Sequence, residues 1–336
     1  MIARDGLTVA VIGATSLVGQ EIARLLAERQ FPVGTLRTLG SIRTAGRKVD
    51  DATVGLVSAE ALRGVDVAFF AAGPSLAGEH AEAAAGGGAV VVDTSSRYRL
   101  DDAVPLVVPE VNGDLLAAES PPALVACPSS TAVALAVALA PLQEAAGIRR
   151  VVVSTYQGAA GGGKRAVTHL SKESIALLSG HGDEPDERVA RRAFNCIPQV
   201  GALEPGGATT HELQAVEEIR RVLAVATLPI QLTAVRVPMF FGMAASLTVE
   251  LESPLAADDA VKLMRRARGV LVHDDAPDTL PTPADVIGSQ ATHVGRVRAD
   301  PTVANGLALW VALDSIEKGS ALNAVQIAEI LIRRRT

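Results

Sequence analysis

The sequence predicts an α/β fold: a parallel sheet with helices on both faces, followed by a second α+β domain. Three observations lead there. Short apolar runs alternate with helix-periodic segments through the first third of the chain. The first of these runs ends in a glycine turn that opens a helix. From Arg149 onward the character changes to β-rich segments with longer loops. With 336 residues, 49% of them apolar and 20% charged, the chain is long enough for two domains with substantial cores.

Residues 7–12 read as a strand, Gly13-Ala14-Thr15-Ser16-Leu17-Val18-Gly19 as a turn, and residues 20–28 as a helix. Such a turn brings backbone N–H groups and a helix N-terminus against a pyrophosphate, and small residues permit the close approach. Ser16 stands where a dinucleotide fingerprint usually has its middle glycine, and a turn that merely joins strand to helix is the alternative. Apolar runs at 65–71, 89–92 and 124–126, separated by helical segments such as 76–85, continue a Rossmann-type sheet. Ligands of such sheets sit beyond the carboxyl ends of the strands. Gly73-Pro74-Ser75, Asp93-Thr94-Ser95-Ser96 and Cys127 to Thr131 are therefore expected to converge on one crevice. After the second strand, Ser41 and Arg43 offer a hydroxyl and a guanidinium rather than an acidic residue. That favours the 2′-phosphate of NADP, with NAD as the alternative. A polar loop with one exposed arginine fits the same residues equally well.

In the second part, strands are expected at 151–156, 230–237, 244–251 and 307–313. Helices are expected at 164–179, 211–225, 257–268 and 321–334, and loops at 158–163 and 180–188. This is a mixed or antiparallel sheet with its own helices.

The net charge of −6, and no basic run longer than Arg333-Arg334-Arg335, argue against a nucleic-acid groove or a polybasic membrane patch. That tail reads as a helix end, where cations are favourable. The N-terminus has no charged region followed by an apolar one, and no apolar run approaches the roughly 20 residues that span a bilayer. Cys127 and Cys196 give neither a disulfide framework nor zinc spacing, so no metal is expected and a reducing cytoplasm is. Cys196, inside Phe-Asn-Cys-Ile-Pro, is expected in the core.

Several segments in order resemble aspartate-semialdehyde dehydrogenase over nearly the whole chain: Val104-Pro105-Leu106-Val107-Val108-Pro109-Glu110-Val111-Asn112, Ser154-Thr155-Tyr156-Gln157, Phe194-Asn195 with Ile197-Pro198-Gln199, Val294-Gly295-Arg296-Val297-Arg298, and Lys318-Gly319 with Ala321 to Glu329. The resemblance implies an NADP-binding domain over 1–128, a substrate and homodimerisation domain over 129–316, and a C-terminal helix over 317–336 that returns to the first domain. It also implies a role in amino-acid biosynthesis and a small substrate of the aspartate type. Members of that family interconvert aspartyl phosphate and aspartate semialdehyde through a cysteine thioester, with a histidine handling the proton.

Carried over, Gly13, Thr15, Ser16, Leu17, Val18, Gly19, Ser41, Arg43, Ala72, Gly73, Asn323 and Gln326 fall on cofactor positions. Arg99 falls on the phosphate-binding arginine, Gln157 on the glutamine that orients the substrate, and Arg236 on the arginine that grips its carboxylate. The departures cluster at the chemistry. Ser130 occupies the nucleophile position, Met243 the histidine position, and His211 and Gln214 stand for a glutamate and a lysine around the substrate. Cys127, three residues before Ser130, is a second candidate thiol, with His211 as a base and a buried packing thiol as the alternative. The pattern resembles a Usg-like paralogue of that family, inactive or diverged in the parent reaction. An NADP-dependent oxidoreductase acting on another small acidic substrate and a non-catalytic dimeric binding protein are the other readings.

Overall fold

The computed structural model describes residues 6–117, 120–180, 190–273, 276 and 278–335. Its chain separates into two units: the described residues up to Ser129 together with those from Gly319 onward, and Ser130–Lys318. Most of the expected loop at 180–188 lies outside the described residues.

The first unit begins with β1 (Leu7–Ile12), whose residues from Val9 to Ile12 are fully buried, as a strand covered on both faces requires. There follow α1 (Leu17–Glu28), β2 (Val33–Gly40), a small hairpin of β3 (Lys48–Val49) and β4 (Ala52–Thr53), β5 (Gly55–Leu56), β6 (Val67–Phe70), α2 (Pro74–Gly86), β7 (Val90–Asp93), the single turn α3 (Pro109–Asn112) and β8 (Leu124–Ala126). Six strands make one sheet in the order β5-β2-β1-β6-β7-β8, every neighbouring pair parallel. This is the expected Rossmann-type sheet. Strand order reverses at β1, with β2 on one side and β6 on the other. The carboxyl ends of β1 and β6 therefore flank the switch point at which such sheets bind ligands.

The second unit runs α4 (Ser130–Ala146), β9 (Ile148–Gln157), α5 (Gly163–Leu178), α6 (Thr210–Val222), β10 (Ile230–Arg236), β11 (Met243–Leu251), α7 (Ala257–Arg266), β12 (Val270–Val272), β13 (Thr292–Asp300) and β14 (Gly306–Leu313). Its six-stranded sheet has the order β10-β9-β11-β14-β13-β12 and mixes parallel with antiparallel pairs. Helix α4 is buried at every position from Thr131 to Leu139. Being apolar all round it has no amphipathic period, and for that reason pattern reading marks no helix there. Its Leu135, Leu139 and Leu142 share a core with Val153 of β9, Val249 of β11 and Leu309 of β14.

Cys196 corrects an expectation: it is exposed. The neighbouring Ile197 exchanges backbone hydrogen bonds with Arg236 on the edge strand β10, at 2.8 and 2.9 Å. The segment therefore lies along a sheet edge rather than inside a layer, and Phe194 is 59% exposed.

Helix α8 (Asn323–Arg335) belongs to the first unit. Its Val325, Ile327, Ala328 and Leu331 join the core formed by Val9, Ile22 and Phe69. Arg29 donates to both carboxylate oxygens of Glu329 at 2.8 Å, and Arg334 donates to the carbonyl of Ala117 at 2.7 Å. Replacing Leu331 by alanine removes a side chain that is 1% exposed. It is expected to cost the first unit about 2–5 kcal/mol in urea unfolding.

In the second unit His293 is buried between Ser289 Oγ at 2.6 Å and His273 Nε2 at 2.8 Å. Burial, and then the charge of His273, hold its imidazole below the usual histidine range. As pH falls through about 6.5 the unfolded chain takes up a proton that the folded ring resists, so stability rises with pH across that window. Urea melts at pH 5.5 and 7.5 should show this difference in the wild type and a smaller one in His293→Gln.

Candidate active site

In the first unit the turn after β1 is built for close approach. Gly13 has φ +92°, and a Cβ there would fall 2.5 Å from the carbonyl oxygen of Ala71. Ser16 has a defined job: its Oγ accepts the Gly19 N–H at 2.9 Å as the N-cap of α1 and donates to the Ala71 carbonyl at 2.8 Å. The backbone N–H groups of Thr15, Leu17 and Val18 have no partner among the described residues. They are donors left over by the turn and the first turn of α1. Ser41 follows the end of β2, and Arg43 is exposed with no side-chain partner among the described residues. Ala72 and Gly73 follow β6, and open space lies where a Cβ of Gly73 would stand.

The loops after β7 and β8 are tied together by Arg99. Its Nε donates to the carbonyl of Cys127 at 2.9 Å and its Nη2 to that of Thr94 at 2.8 Å. Asp93 is buried, and burial raises its carboxyl above the usual range despite hydrogen bonds from the N–H and Oγ–H of Ser95. Cys127 is fully buried, and burial pushes its thiol up to about 12, against a hydrogen bond from Asn323. The Asn323 amide also donates to the Val107 carbonyl at 2.9 Å, and that of Gln326 donates to Glu110 Oε1 at 3.0 Å. The remaining oxygens, Asn323 Oδ1 and Gln326 Oε1, are buried with no partner among the described residues. Buried acceptors without donors are uncommon in a finished interior. The free N–H groups of the turn after β1 make this unit fit a dinucleotide.

In the second unit Gln157, the last residue of β9, gathers the other candidates. Its Nε2 lies 3.2 Å from Thr131 Oγ1, 3.1 Å from Thr155 Oγ1 and 3.1 Å from His211 Nε2. His211 Nε2 is also 3.2 Å from Thr131 Oγ1. The first turn of α6, which carries His211, is fixed by a capping box of Thr209 and Glu212. Glu212 Oε1 further accepts the Ala234 N–H at 2.7 Å, which ties the helix to β10. Gln214, one turn on, has no side-chain partner among the described residues.

Met243 stands directly opposite Gln157 in the β9–β11 ladder and is buried in the core, 2% exposed. Ser130 opens α4, and its hydroxyl makes no hydrogen bond among the described residues. Arg236 ends β10, and its Nη1 donates to the carbonyl of Gly158. Burial, then the charge of Arg192, lower its pKa. It borders a cavity of about 680 Å³. Sequence reading missed Thr131 and Thr155 as members of the cluster, although both sit beside residues it singled out.

Residues 8–119 match the semialdehyde dehydrogenase NAD binding domain and residues 139–318 the semialdehyde dehydrogenase dimerisation domain. Fold and site thus define a two-domain protein of the semialdehyde dehydrogenase class. The chain is 38% identical to the aspartate-semialdehyde dehydrogenase of Bacillus subtilis (strain 168), over 97% of each chain. The crystal structure of aspartate semialdehyde dehydrogenase II of Vibrio cholerae, complexed with ASA, matches with a TM-score of 0.92 and 36% identity, covering 98% of this chain and 99% of that one. A probable aspartate-semialdehyde dehydrogenase from Pseudomonas aeruginosa matches with a TM-score of 0.90 and 30% identity, covering 98% and 100%. The chain belongs to the aspartate-semialdehyde dehydrogenase family. Among the described residues no helix is long and apolar enough to cross a membrane.

The two cysteines differ sharply in exposure, and a thiol-reactive dye reads that difference. At pH 8 it should label Cys196 rapidly and Cys127 only after unfolding. A native protein that loses both thiols at one rate would contradict the buried placement of Cys127.

Proposed function

We propose that this chain is a homodimeric, NADP-linked aldehyde-oxidoreductase scaffold that binds an aspartate-type acid and has diverged from the parent reaction of its family. The observation that carries this reading is the pairing of Ser130 at the nucleophile position with Met243 at the base position. Met243 is a buried core side chain beside Gln157, and a thioether cannot move a proton. An anion on Ser130 would gain about 0.3–1 kcal/mol from the N-terminus of α4. Loss of a general base costs roughly 10²–10⁴-fold in rate, about 3–5 kcal/mol. The second loss outweighs the first gain.

Cys127 does not fill the gap. With its thiol pushed up to about 12, the thiolate at pH 7 is on the order of one part in 10⁵. The family's thioester route therefore lacks both its nucleophile and its proton carrier here.

The cofactor side supports retained binding. The N–H groups of Thr15, Leu17 and Val18 would receive a pyrophosphate and Ser41 and Arg43 a 2′-phosphate, while Asn323 and Gln326 fall on cofactor positions by the resemblance alone. NADP, when bound, supplies hydride transfer chemistry. Arg236 would take the substrate carboxylate, and Arg99 would add positive charge while bracing the loop of Cys127. Two unpaired cysteines fit a reducing cytoplasm.

One observation favours a second reading, an oxidoreductase acting on another acidic substrate without a covalent step. His211 lies within hydrogen-bond reach of Gln157 and Thr131, so a titratable ring is present in the cluster even though the family's histidine is not. Direct hydride transfer with His211 as proton carrier needs no thiol.

Calorimetric titration with NADPH should show saturable binding, and the double substitution Ser130→Cys with Met243→His should raise phosphate-dependent NADP reduction by aspartate semialdehyde at least about 10²-fold. A wild-type protein that already runs that reaction at the rate of an active relative would overturn the proposed divergence.

A further inference from the structure

His293 on β13 stands in register with Ala312 of β14, which is itself in register with Ala244 of β11. Residues paired across a ladder share a face and neighbours along a strand take opposite faces, so His293 points away from the side of Met243 and Gln157. Its ring belongs to a separate cluster. Nε2 lies 2.6 Å from Ser289 Oγ, and Nδ1 lies 2.8 Å from His273 Nε2. A hydroxyl, a buried imidazole and a second imidazole thus stand in line. A nucleophile within hydrogen-bond reach of a base, with that base oriented by a third group, is the arrangement that activates a serine.

The directions of these bonds agree with that use. Ala291 N–H donates to Ser289 Oγ at 3.3 Å, which leaves the serine's own hydrogen to be donated to His293 Nε2. Burial, then the charge of His273, favours the neutral His293 ring. A neutral ring has one N–H; with Nε2 accepting, that proton sits on Nδ1 and points at His273 Nε2.

Each member is also fixed through its backbone. His273 N–H donates to the Val294 carbonyl at 2.8 Å, which docks the end of β12 on β13 beside His293. Ser289 follows Gly288, whose φ of +79° would strain a residue with a Cβ. Gly288 N–H donates to Oδ2 of the buried Asp314 at 2.9 Å, and Ser289 N–H to the Val286 carbonyl at 3.1 Å. The turn is held, yet one side of it is open. Ser289 is half-buried, a Cβ on Gly288 would meet nothing within 4 Å among the described residues, and Ile287 is 44% exposed.

We propose that Ser289, His293 and His273 form a nucleophilic site that cleaves small carboxylic esters, with Ser289 as nucleophile, His293 as base and His273 as positioning residue. Ser289 Oγ bonds to the ester carbonyl carbon while its proton passes to His293 Nε2; the ester C–O bond breaks and that proton leaves with the alcohol. Water, giving its proton to the same nitrogen, then cleaves the acyl-serine to the carboxylic acid, and the proton returns to Oγ. Ile287 offers apolar contact to a short acyl chain. The site is independent of the cofactor and of the cluster around Gln157.

The full-length protein is treated with diisopropyl fluorophosphate, and the modified residue is located by peptide mass spectrometry. In that reaction Oγ bonds to phosphorus, fluoride leaves and the proton goes to His293 Nε2. The label should fall on Ser289, and Ser289→Ala should abolish it while leaving urea stability and NADPH binding unchanged. His293→Gln should slow labelling about 10²–10⁴-fold, the usual worth of a general base. His273→Gln, which still offers an acceptor to Nδ1–H, should label close to the wild-type rate, and His273→Leu well below it. Release of p-nitrophenol from p-nitrophenyl acetate, measured in Cys196→Ser to remove the exposed thiol, should follow the same order. A label on Ser130 or on no residue overturns the proposal, as do labelling without ester cleavage and rates that Ser289→Ala or His293→Gln leaves unchanged. If His293→Gln melts early, the mapped position of the label in the wild type, with the two His273 variants, decides.

Discussion

The buried hydroxyl of Thr131 is the constraint on which the second unit's site depends. Helix α4 is apolar on every face and is packed within the core, so its first turn carries Thr131 out of solvent completely. A hydroxyl in that position must be hydrogen-bonded or cost on the order of 1–3 kcal/mol. Gln157 and His211 satisfy it, and in doing so they are held against each other. Ser130, one residue earlier, is positioned by the same helix but takes no part in that network. The Ser130 hydroxyl is thus placed beside that network without joining it.

Met243 completes this picture from the sheet. At the start of β11 it faces Gln157 across the ladder, where its thioether packs into the core and leaves no polar group unsatisfied. A residue that needed a proton partner would have required one in that wall. The polar character of the cluster therefore rests on Gln157, Thr155, Thr131 and His211.

The first unit shows the opposite balance. Its turn donors at Thr15, Leu17 and Val18 and its buried amide oxygens at Asn323 and Gln326 are polar groups without partners among the described residues. Elsewhere in this unit polar groups are well paired: Ser16 caps α1, Arg99 braces two loops, and Arg29 with Glu329 holds α8. Free N–H donors at the carboxyl end of β1, beside the switch point of a parallel sheet, mark a place kept for a ligand.

The alternation of apolar runs with helical patterns determined by itself the parallel sheet, the strand–turn–helix at Gly13 to Gly19 and most elements of the second unit, because local periodicity records which face each element buries. Helix α4 was not legible, since a helix buried all round has no polar face to betray its period. The position of Cys196 was not legible either, because an apolar run along a sheet edge reads the same as one in a core. Spacing and resemblance marked Ser130, Gln157, His211, Arg236 and Met243 as candidates one by one. Tertiary structure alone decided that His211 meets Gln157 and Thr131, that the Cys127 thiol is sealed from solvent, and that Arg165 and Arg192 share a cavity with Arg236. Such contacts join residues far apart in the chain, and only the packing of whole elements brings them together.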